Sequence, residues 1–407
     1  MATVVLVGTL DTKGVEYAYF RDRVREQGLE TILIDAGVMG AQGVTPDIAH
    51  DEVARAGGVD AAELAVGGDR GVAVQAMARG ARAVVARLYA EGRLDGIAAL
   101  GGSGGSSIAA EAMKALPVGV PKLIVSTVAS GDTRPYVGAL DVTMTYSVVD
   151  IAGINQLSAR IIANAAGAIA GMVKVPTPPV PAPRPLVAAS MFGVTTPAVT
   201  TARQRLEELG YEVLVFHQTG TGGESMEELM KGGFIAGSLD VTVTELADEL
   251  VGGVLAAHPK RLEVAGELGI PQVVSLGALD MVNFGPVDTL PLEFRGRNLY
   301  VHNATVTLMR TTPAENAELG RRIARKLSAA TGPTALFVPL RGVSTVDVKG
   351  MPFHDPEADQ ALFDALRHNL DPRIETHWVD ADVNDPAFAL AMANRLHELI
   401  QQGGATR

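Results

Sequence analysis

Three glycine-rich loops in the first part of the chain carry the residue types that bind phosphate. They are GTLDTKG at 8–14, GGDRG at 67–71 and GGSGGSS at 101–107. The first and third follow short apolar runs and lead into helix-like stretches, which puts backbone N–H groups and the positive end of a helix dipole at one place. Lys13 and Arg70 add positive charge. We therefore expect a nucleotide or phosphorylated ligand, over the alternative that the glycines only make tight turns.

None of these loops matches a standard nucleotide motif. Lys13 precedes Gly14, whereas a P-loop needs Gly-Lys-Ser/Thr, and GGSGGSS does not give the dinucleotide pattern G-x-G-x-x-G. We expect a cradle of backbone amides from the first and third loops, with Lys13 and Arg70 as counter-charges. The candidate nucleotide-binding residues are Asp11, Thr12, Lys13, Gly14, Asp35, Arg70, Gly101, Gly102, Ser103, Gly104 and Gly105.

Two carboxylates among these residues have alternative roles. Asp35 ends the second predicted strand, where dinucleotide-binding folds place a carboxylate on the ribose hydroxyls, but it could equally cap a turn. Asp11 could help to hold Mg²⁺ on a triphosphate, or it could cap the helix that follows. ATP, with or without Mg²⁺, is the predicted ligand, and an NAD-type dinucleotide is the alternative.

A second group of polar residues lies in the other half of the chain. Two histidines follow strand-like runs, one of them just before a glycine loop, and an arginine lies eight residues after the other. Such residues could surround a small anionic substrate. The candidate catalytic residues are His302, His217 and Glu245, and the candidate substrate-binding residues are Asn303, Arg310, Gly222 and Gly223.

Each of these residues also has a structural interpretation. A lone histidine is often only a hydrogen-bonded structural group. Thr312 could cap a helix that starts at Pro313 while Arg310 pairs with a carboxylate. The spacing of histidines and carboxylates matches no metal motif such as H-E-x-x-H, so no metal is predicted here. The stretch 337–356 predicts a strand and then a long loop with Arg341, Ser344 and His354, either a lid or a surface connection.

The order of predicted elements sets the fold class. Apolar strand runs alternate with helical stretches, which predicts an α/β protein whose mainly parallel sheets are covered on both faces. The stretch 175–185 contains six prolines and predicts a stiff linker. We expect two Rossmann-like domains, a nucleotide-binding one at 1–174 and a possible substrate domain at 186–407. Similar strand ends at the start of each domain hint at an internal duplication.

Composition excludes several classes of protein. The 407-residue chain has no cysteine, which rules out disulfides and thiolate chemistry, and its net charge of −12 argues against a nucleic-acid surface. The only membrane candidate, 151–173, contains Asn155, Arg160 and Asn164, which are costly in lipid. No secretory signal precedes the first predicted strand. We expect a cytoplasmic protein that does not bind membranes.

Several long motifs resemble one known family. GTLDTKG, the Asp-Ala-Gly at 35–37, GGSGGSS, HQTGTGGESMEEL at 217–229 and VHNATVTLMRTTP at 301–313 are similar to the tomato mosaic virus resistance protein-like ATP-binding family. Ala304 stands where a proline is expected in the family. The resemblance implies a two-domain α/β protein, a homodimer, and ATP in the first domain on Asp11, Thr12, Lys13, Arg70 and Gly101 to Gly104.

The sequence indicates the function of the protein less directly than it indicates the ligand. We expect an ATP-binding protein that acts as an enzyme on a small anionic substrate in a cleft between the domains, because the polar residues of the second half would otherwise share no purpose. A non-catalytic regulatory or scaffolding protein that binds ATP is one alternative. A dinucleotide-dependent oxidoreductase is the other.

Overall fold

The computed structural model describes residues 1–176 and 184–404. The chain forms two compact units that divide near residue 180. Residues 177–183 of the predicted proline-rich linker lie outside the described residues.

The first unit is built on a five-stranded parallel sheet in the order β2-β1-β3-β4-β5. Its strands are β1 (Thr3–Gly8), β2 (Glu30–Asp35), β3 (Gly96–Gly101), β4 (Lys122–Ser126) and β5 (Thr143–Tyr146). Its helices are α1 (Leu10–Glu26), α2 (His50–Ala56), α3 (Ala61–Gly67), α4 (Arg70–Ala90), α5 (Ser103–Met113), α6 (Arg134–Val137) and α7 (Gln156–Lys174).

Helices cover both faces of this sheet. α1 and α7 pack on one face, and α2, α4 and α5 pack on the other. The strands are apolar along their length because alternate residues meet a helix layer on each side. In the sheet, β2 lies on one side of β1 and β3 lies on the other. The order in which strands are added therefore reverses between β1 and β3. Ligands of open α/β sheets bind at such a point, outside the carboxyl ends of the strands.

The second unit contains a six-stranded parallel sheet, β14-β13-β9-β8-β6-β7, and a three-stranded antiparallel sheet, β10-β12-β11. The strands are β6 (Leu186–Met191), β7 (Glu212–His217), β8 (Ile235–Thr242), β9 (Gln272–Gly277), β10 (Met281–Phe284), β11 (Leu299–Asn303), β12 (Val306–Arg310), β13 (Thr334–Pro339) and β14 (Glu375–Val379). The helices are α8 (Thr196–Glu208), α9 (Thr221–Lys231), α10 (Glu245–Val251), α11 (Val264–Glu267), α12 (Pro313–Ser328), α13 (Pro356–Asn369) and α14 (Pro386–Gly404).

The predicted α/β class with mainly parallel sheets is confirmed. Two helices start inside the predicted glycine loops: α1 begins at Leu10, within the loop 8–14, and α5 begins at Ser103, within the loop 101–107. In both cases residues of a predicted loop form the first helical turn, where low helix propensity matters least. Most of the stretch 151–173 belongs to the amphipathic α7, which begins at Gln156, and within the described ranges no helix is long and apolar enough to span a membrane.

Candidate functional site

A cavity of about 280 Å³ lies at the carboxyl ends of the strands in the first unit, beside the reversal point between β1 and β3. It brings together five of the predicted nucleotide-binding residues. The lining comprises Thr9, Asp11, Thr12, Ala36, Gly37, Val38, Arg70, Ala73, Val74, Met77, Gly104, Gly105 and Ile108.

The first turn of α5 points open hydrogen-bond donors towards this cavity. Gly102 is the N-cap of α5 and supplies no side-chain cap, so the N–H groups of the first turn lack the usual intrachain acceptor. The neighbouring α4 differs, because the Asp69 carboxylate accepts hydrogen bonds from the N–H groups of Gly71 (2.8 Å) and Val72 (3.1 Å). The positive end of α5 is therefore available to an anion.

Arg70 places a cation beside the same turn. It is the first residue of α4, since the loop 67–71 joins α3 to α4 and does not follow a strand. Its side chain makes no hydrogen bond or ion pair within residues 1–176 and 184–404, and Nη2 lies 3.9 Å from the position that a Cβ on Gly104 would take. A guanidinium without a carboxylate partner is suited to bidentate contact with phosphate.

Packing does not explain two of the glycines in this turn. A Cβ on Gly101 would lie 3.0 Å from Gly105 Cα, so Gly101 is needed for close approach. Gly104 and Gly105 have no positive φ, and a Cβ on either would make only ordinary contacts, at 3.9 and 3.5 Å. Glycine in a helix costs about 0.5–1 kcal/mol relative to alanine. These two glycines leave the backbone N–H groups accessible from the cavity.

The two predicted carboxylates have different positions. Asp11 lines the cavity, and its Oδ2 accepts hydrogen bonds from Val38 N (3.0 Å) and Met39 N (3.2 Å), which fixes the loop after β2. Asp35 is fully buried outside the lining, and its Oδ1 accepts from Leu10 N (3.1 Å) and Gly37 N (2.9 Å). Burial raises the pKa of Asp35. The structure thus uses Asp35 to position the start of α1 and the loop after β2.

Lys13 and Gly14 also contact protein rather than the cavity. Lys13 Nζ donates a hydrogen bond to the Ile151 carbonyl, and the residue has non-helical backbone angles (φ −127°, ψ 20°) inside α1. A Cβ on Gly14 would lie 1.7 Å from the Gln42 carbonyl oxygen. Lys13 is absent from the cavity lining, whereas Arg70 belongs to it.

The apolar wall of the cavity was not predicted. Arg70, Ala73, Val74 and Met77 all line the cavity from α4. Their spacing of three, four and seven residues is the helical repeat that places side chains on one face. That periodicity in the sequence identifies the face of α4 that carries Arg70, although it does not identify what the face meets.

In the second unit, the helix that corresponds to α5 begins with a carboxylate residue. Glu245 is the first residue of α10, the helix that follows β8, and it is fully buried. Its Oε1 accepts hydrogen bonds from Gly220 N (2.7 Å) and Gly223 N (3.2 Å), and its Oε2 accepts from Arg261 Nε (3.0 Å). Burial raises the pKa of Glu245, while Arg261 and the glycine N–H groups oppose that rise. Glu245 therefore occupies the donors of the glycine loop itself.

Arg261 completes a closed polar network around Glu245. Its guanidinium also contacts the carboxylates of Asp240 and Glu227 and the side-chain oxygen of Gln218. The two predicted substrate-binding glycines pack beneath this network. A Cβ on Gly222 would lie 1.7 Å from the His217 carbonyl oxygen, and one on Gly223 would lie 2.1 Å from Glu245 Oε2.

The structure does not bring His302, Asn303 and Arg310 together. Arg310 is only 3% exposed, and its Nη2 pairs with Asp347 (3.0 Å) and Asp359 (2.6 Å). His302 is exposed at the other end of the β11–β12 hairpin, where the Asn303 side chain accepts a hydrogen bond from Thr305 N (2.9 Å). This is the arrangement of the structural alternative.

Two further observations complete that account. Thr312 caps α12 in a capping box with Glu315, as the structural alternative predicts. His217 is exposed at the end of β7, and its ring centroid lies 5.3 Å from that of Phe192. Among the described residues, no group of three side chains is arranged to hold a metal ion.

The sequence matches family models along both units. Residues 2–178 match the N-terminal domain, and residues 184–400 the C-terminal domain, of the "Uncharacterised protein family (UPF0261)". A UPF0261 protein of Clostridium tetani is 53% identical over 400 residues, which cover 98% of this chain and 99% of that protein. The ToMV resistance protein Tm-1(GCR237) of Solanum lycopersicum is 43% identical over 337 residues, 81% of this chain and 45% of the tomato protein.

Among solved structures, the chain is similar to the S. aureus MnaA-UDP co-structure. That similarity has 9% sequence identity and a TM-score of 0.22, and it covers 93% of this chain and 100% of the other. A similarity of this strength carries no argument about the ligand or reaction of this chain.

Proposed function

The chain belongs to the UPF0261 family, as its motifs predict, and from this premise we propose that its first unit binds a nucleotide, with ATP as the leading candidate. The phosphates would meet the first turn of α5 and the Arg70 guanidinium. The observation that carries the proposal is that two groups border one cavity at the reversal point of the sheet. They are an arginine without a hydrogen-bond or ion-pair partner among the described residues, and a helix start without a side-chain cap. Such a site supplies both point charge and backbone N–H groups to an anion.

The size and lining of the cavity support a phosphorylated ligand. Its volume of about 280 Å³ is just below the roughly 300–1,000 Å³ usual for ligand sites, so a nucleotide would place its phosphates inside and extend outwards. Among the described residues that line the cavity, Asp11 is the one with a carboxylate. Because Mg²⁺ is commonly held by one or two carboxylates together with substrate phosphates, Asp11 would be the protein ligand of a Mg²⁺–ATP complex.

The buried position of Asp35 favours ATP over a dinucleotide. The dinucleotide hypothesis needs a carboxylate that reaches the ribose hydroxyls. Asp35 is fully buried and accepts two backbone hydrogen bonds from within the unit. The residue that suggested an oxidoreductase therefore uses Oδ1 in a structural role, and it lies outside the cavity lining.

A non-catalytic regulatory or scaffolding role is the second candidate function. Two residues that were predicted to act on a substrate, Glu245 and Arg310, each pair with other groups of the second unit, and this favours a non-catalytic role. Catalysis on a small anionic substrate between the domains stays a prediction, as do homodimerisation and the cytoplasmic location.

Calorimetry on the full chain tests nucleotide binding. ATP, ADP, AMP and NAD⁺ would be titrated with and without Mg²⁺. We expect ATP and ADP to bind at least about tenfold more tightly than AMP, because the donors around Arg70 recognise a phosphate chain. Absence of heat from every nucleotide up to about 1 mM would contradict the proposal. Release of phosphate from bound ATP would then distinguish an enzyme from a binding protein.

A further inference from the structure

A second cavity, of about 420 Å³, lies in the second unit just beyond the carboxyl end of β13. It is bounded by the segment 340–354 and by the first turns of α13. This edge of a parallel sheet is where α/β proteins bind ligands. The volume is within the roughly 300–1,000 Å³ usual for small-molecule sites. The cavity shares no residue with the proposed nucleotide site.

The segment that forms one wall of this cavity is fixed in place. Ala278 N donates a hydrogen bond to the Val343 carbonyl (2.9 Å), and Thr345 N donates to the Val194 carbonyl (3.1 Å). The sequence left open whether this stretch is a lid or a connection. These bonds to distant parts of the unit make it a preformed wall, so a ligand would find the cavity already shaped.

Two side chains in the lining, those of Lys349 and His354, each have a nitrogen atom that is available to a ligand. Lys349 is exposed, and its ammonium makes no hydrogen bond or ion pair in the part of the chain that the structure describes. His354 Nδ1 lies 3.1 Å from the Asp347 carbonyl oxygen. Because a carbonyl only accepts hydrogen bonds, Nδ1 carries a proton. The other ring nitrogen, Nε2, is left to contact a ligand, and it becomes a donor when the ring is protonated.

The carboxylate in the lining does not cancel this positive character. Asp359 Oδ1 accepts a hydrogen bond from Arg310 Nη2 (2.6 Å), so a buried guanidinium offsets its charge. Burial also raises the pKa of Asp359, while Arg310 opposes that rise. Arg341 lines the cavity as well and pairs with Asp380. The charge without a compensating partner is that of Lys349.

We propose that this cavity binds a small organic anion, a carboxylate or a phosphate ester, whose anionic group contacts Lys349 and His354. The rest of the ligand would pack against Leu340 and Phe363, which supply apolar surface to the lining. Charge-assisted hydrogen bonds would fix the anionic group, and burial of apolar area would add affinity. The proposal is independent of the nucleotide function, because it concerns a different unit and different residues.

The imidazole of His354 provides a direct readout. The full chain would be labelled with ¹³C-histidine, and the His354 resonance would be identified by its loss in His354→Gln. Inorganic phosphate, phenyl phosphate and benzoate would be the probes, with phenol as the uncharged control. We expect phenyl phosphate or benzoate to shift the His354 resonance saturably, because the bound anion contacts the imidazole. The tighter of the two identifies a phosphate ester or a carboxylate.

Substitution of the lysine tests the other contact. Lys349→Gln should weaken binding of the better probe by about tenfold or more, whereas Lys260→Gln, at an exposed lysine of the same unit, should leave it unchanged. Unchanged resonances of the other histidines would show that both variants are folded. The proposal is overturned if no charged probe gives a saturable shift up to about 10 mM, if phenol shifts the resonance as strongly, or if both lysine variants weaken binding equally.

Discussion

The two parallel sheets have the same order for their first five strands, but the helices that start at their reversal points begin with different residues. In the first unit, the helix after the third strand begins with Ser103, Gly104 and Gly105, and a cavity remains beside it. In the second unit, the corresponding helix begins with Glu245, whose carboxylate accepts the N–H groups of the glycine loop 220–223. A glycine loop therefore identifies a set of donors, and the acceptor can be a ligand or the chain itself.

The glycines of the two units differ in the same way. Gly222 and Gly223 are required by the fold, since a Cβ on either would overlap neighbouring atoms. Gly104 and Gly105 meet no such obstacle. The cations differ too: Arg261 is enclosed by carboxylates, whereas Arg70 has no partner in the described ranges. The comparison predicts that substitutions in the second unit change stability and that those in the first change ligand affinity.

The largest effect is expected for Glu245→Ala. The substitution removes one of the carboxylates that neutralise Arg261 and leaves two buried N–H groups without an acceptor. Breaking a buried charge network from one side costs about 3–5 kcal/mol. Chemical denaturation should therefore show a large loss in the free energy of unfolding of the second unit. Glu224→Ala, at an exposed glutamate in the first turn of α9, is the matched control, and equal midpoints for the two variants would refute the network's role.

A pair of glycine substitutions tests the comparison directly. Gly223→Ala would insert a Cβ 2.1 Å from Glu245 Oε2, and such overpacking costs about 1–3 kcal/mol of stability. Gly104→Ala has room for its methyl group and should leave the melting temperature unchanged or slightly higher, while it weakens ATP binding by crowding the α5 turn. Thermal unfolding and calorimetry measure both. If Gly104→Ala destabilised the protein as much as Gly223→Ala, the fold and not a ligand would explain the glycine.

Arg70→Ala should lower ATP affinity by about 1–3 kcal/mol, which is roughly tenfold to a hundredfold in dissociation constant. The melting temperature without ligand should barely change, because Arg70 makes no hydrogen bond or ion pair in the described structure that its loss would break. Arg79→Ala removes an exposed arginine from the same helix outside this cavity and serves as the control. Equal weakening by both variants would indicate a general charge effect.

Local sequence patterns were sufficient to predict part of the fold and of the candidate site. Strand and helix periodicities predicted the α/β class, and strand-end glycines predicted the position of the cavity near Gly104. Whether a charged residue is free depends on groups far away in the chain, which local patterns do not contain. Arg310 pairs with Asp347 and Asp359, 37 and 49 residues away. The antiparallel sheet was not predicted; its β11–β12 hairpin is local in the chain, whereas β10 pairs with β12 rather than with its successor β11.

The smallest effect on ATP affinity is expected for substitution of Lys13. It tests directly whether a distant partner has taken a residue that the sequence assigned to the ligand. The sequence predicts a phosphate contact, whereas the structure places Nζ on the Ile151 carbonyl, 138 residues away. One partly exposed hydrogen bond contributes about 0.5–1.5 kcal/mol, so Lys13→Ala should lower the melting temperature slightly. ATP affinity should change by less than about twofold, far less than for Arg70→Ala. Lys13→Met keeps most of the side-chain volume and separates loss of the bond from loss of packing. If Lys13→Ala instead weakened ATP as much as Arg70→Ala at constant stability, Lys13 would leave Ile151 on binding, and the first unit would use both of its predicted cations.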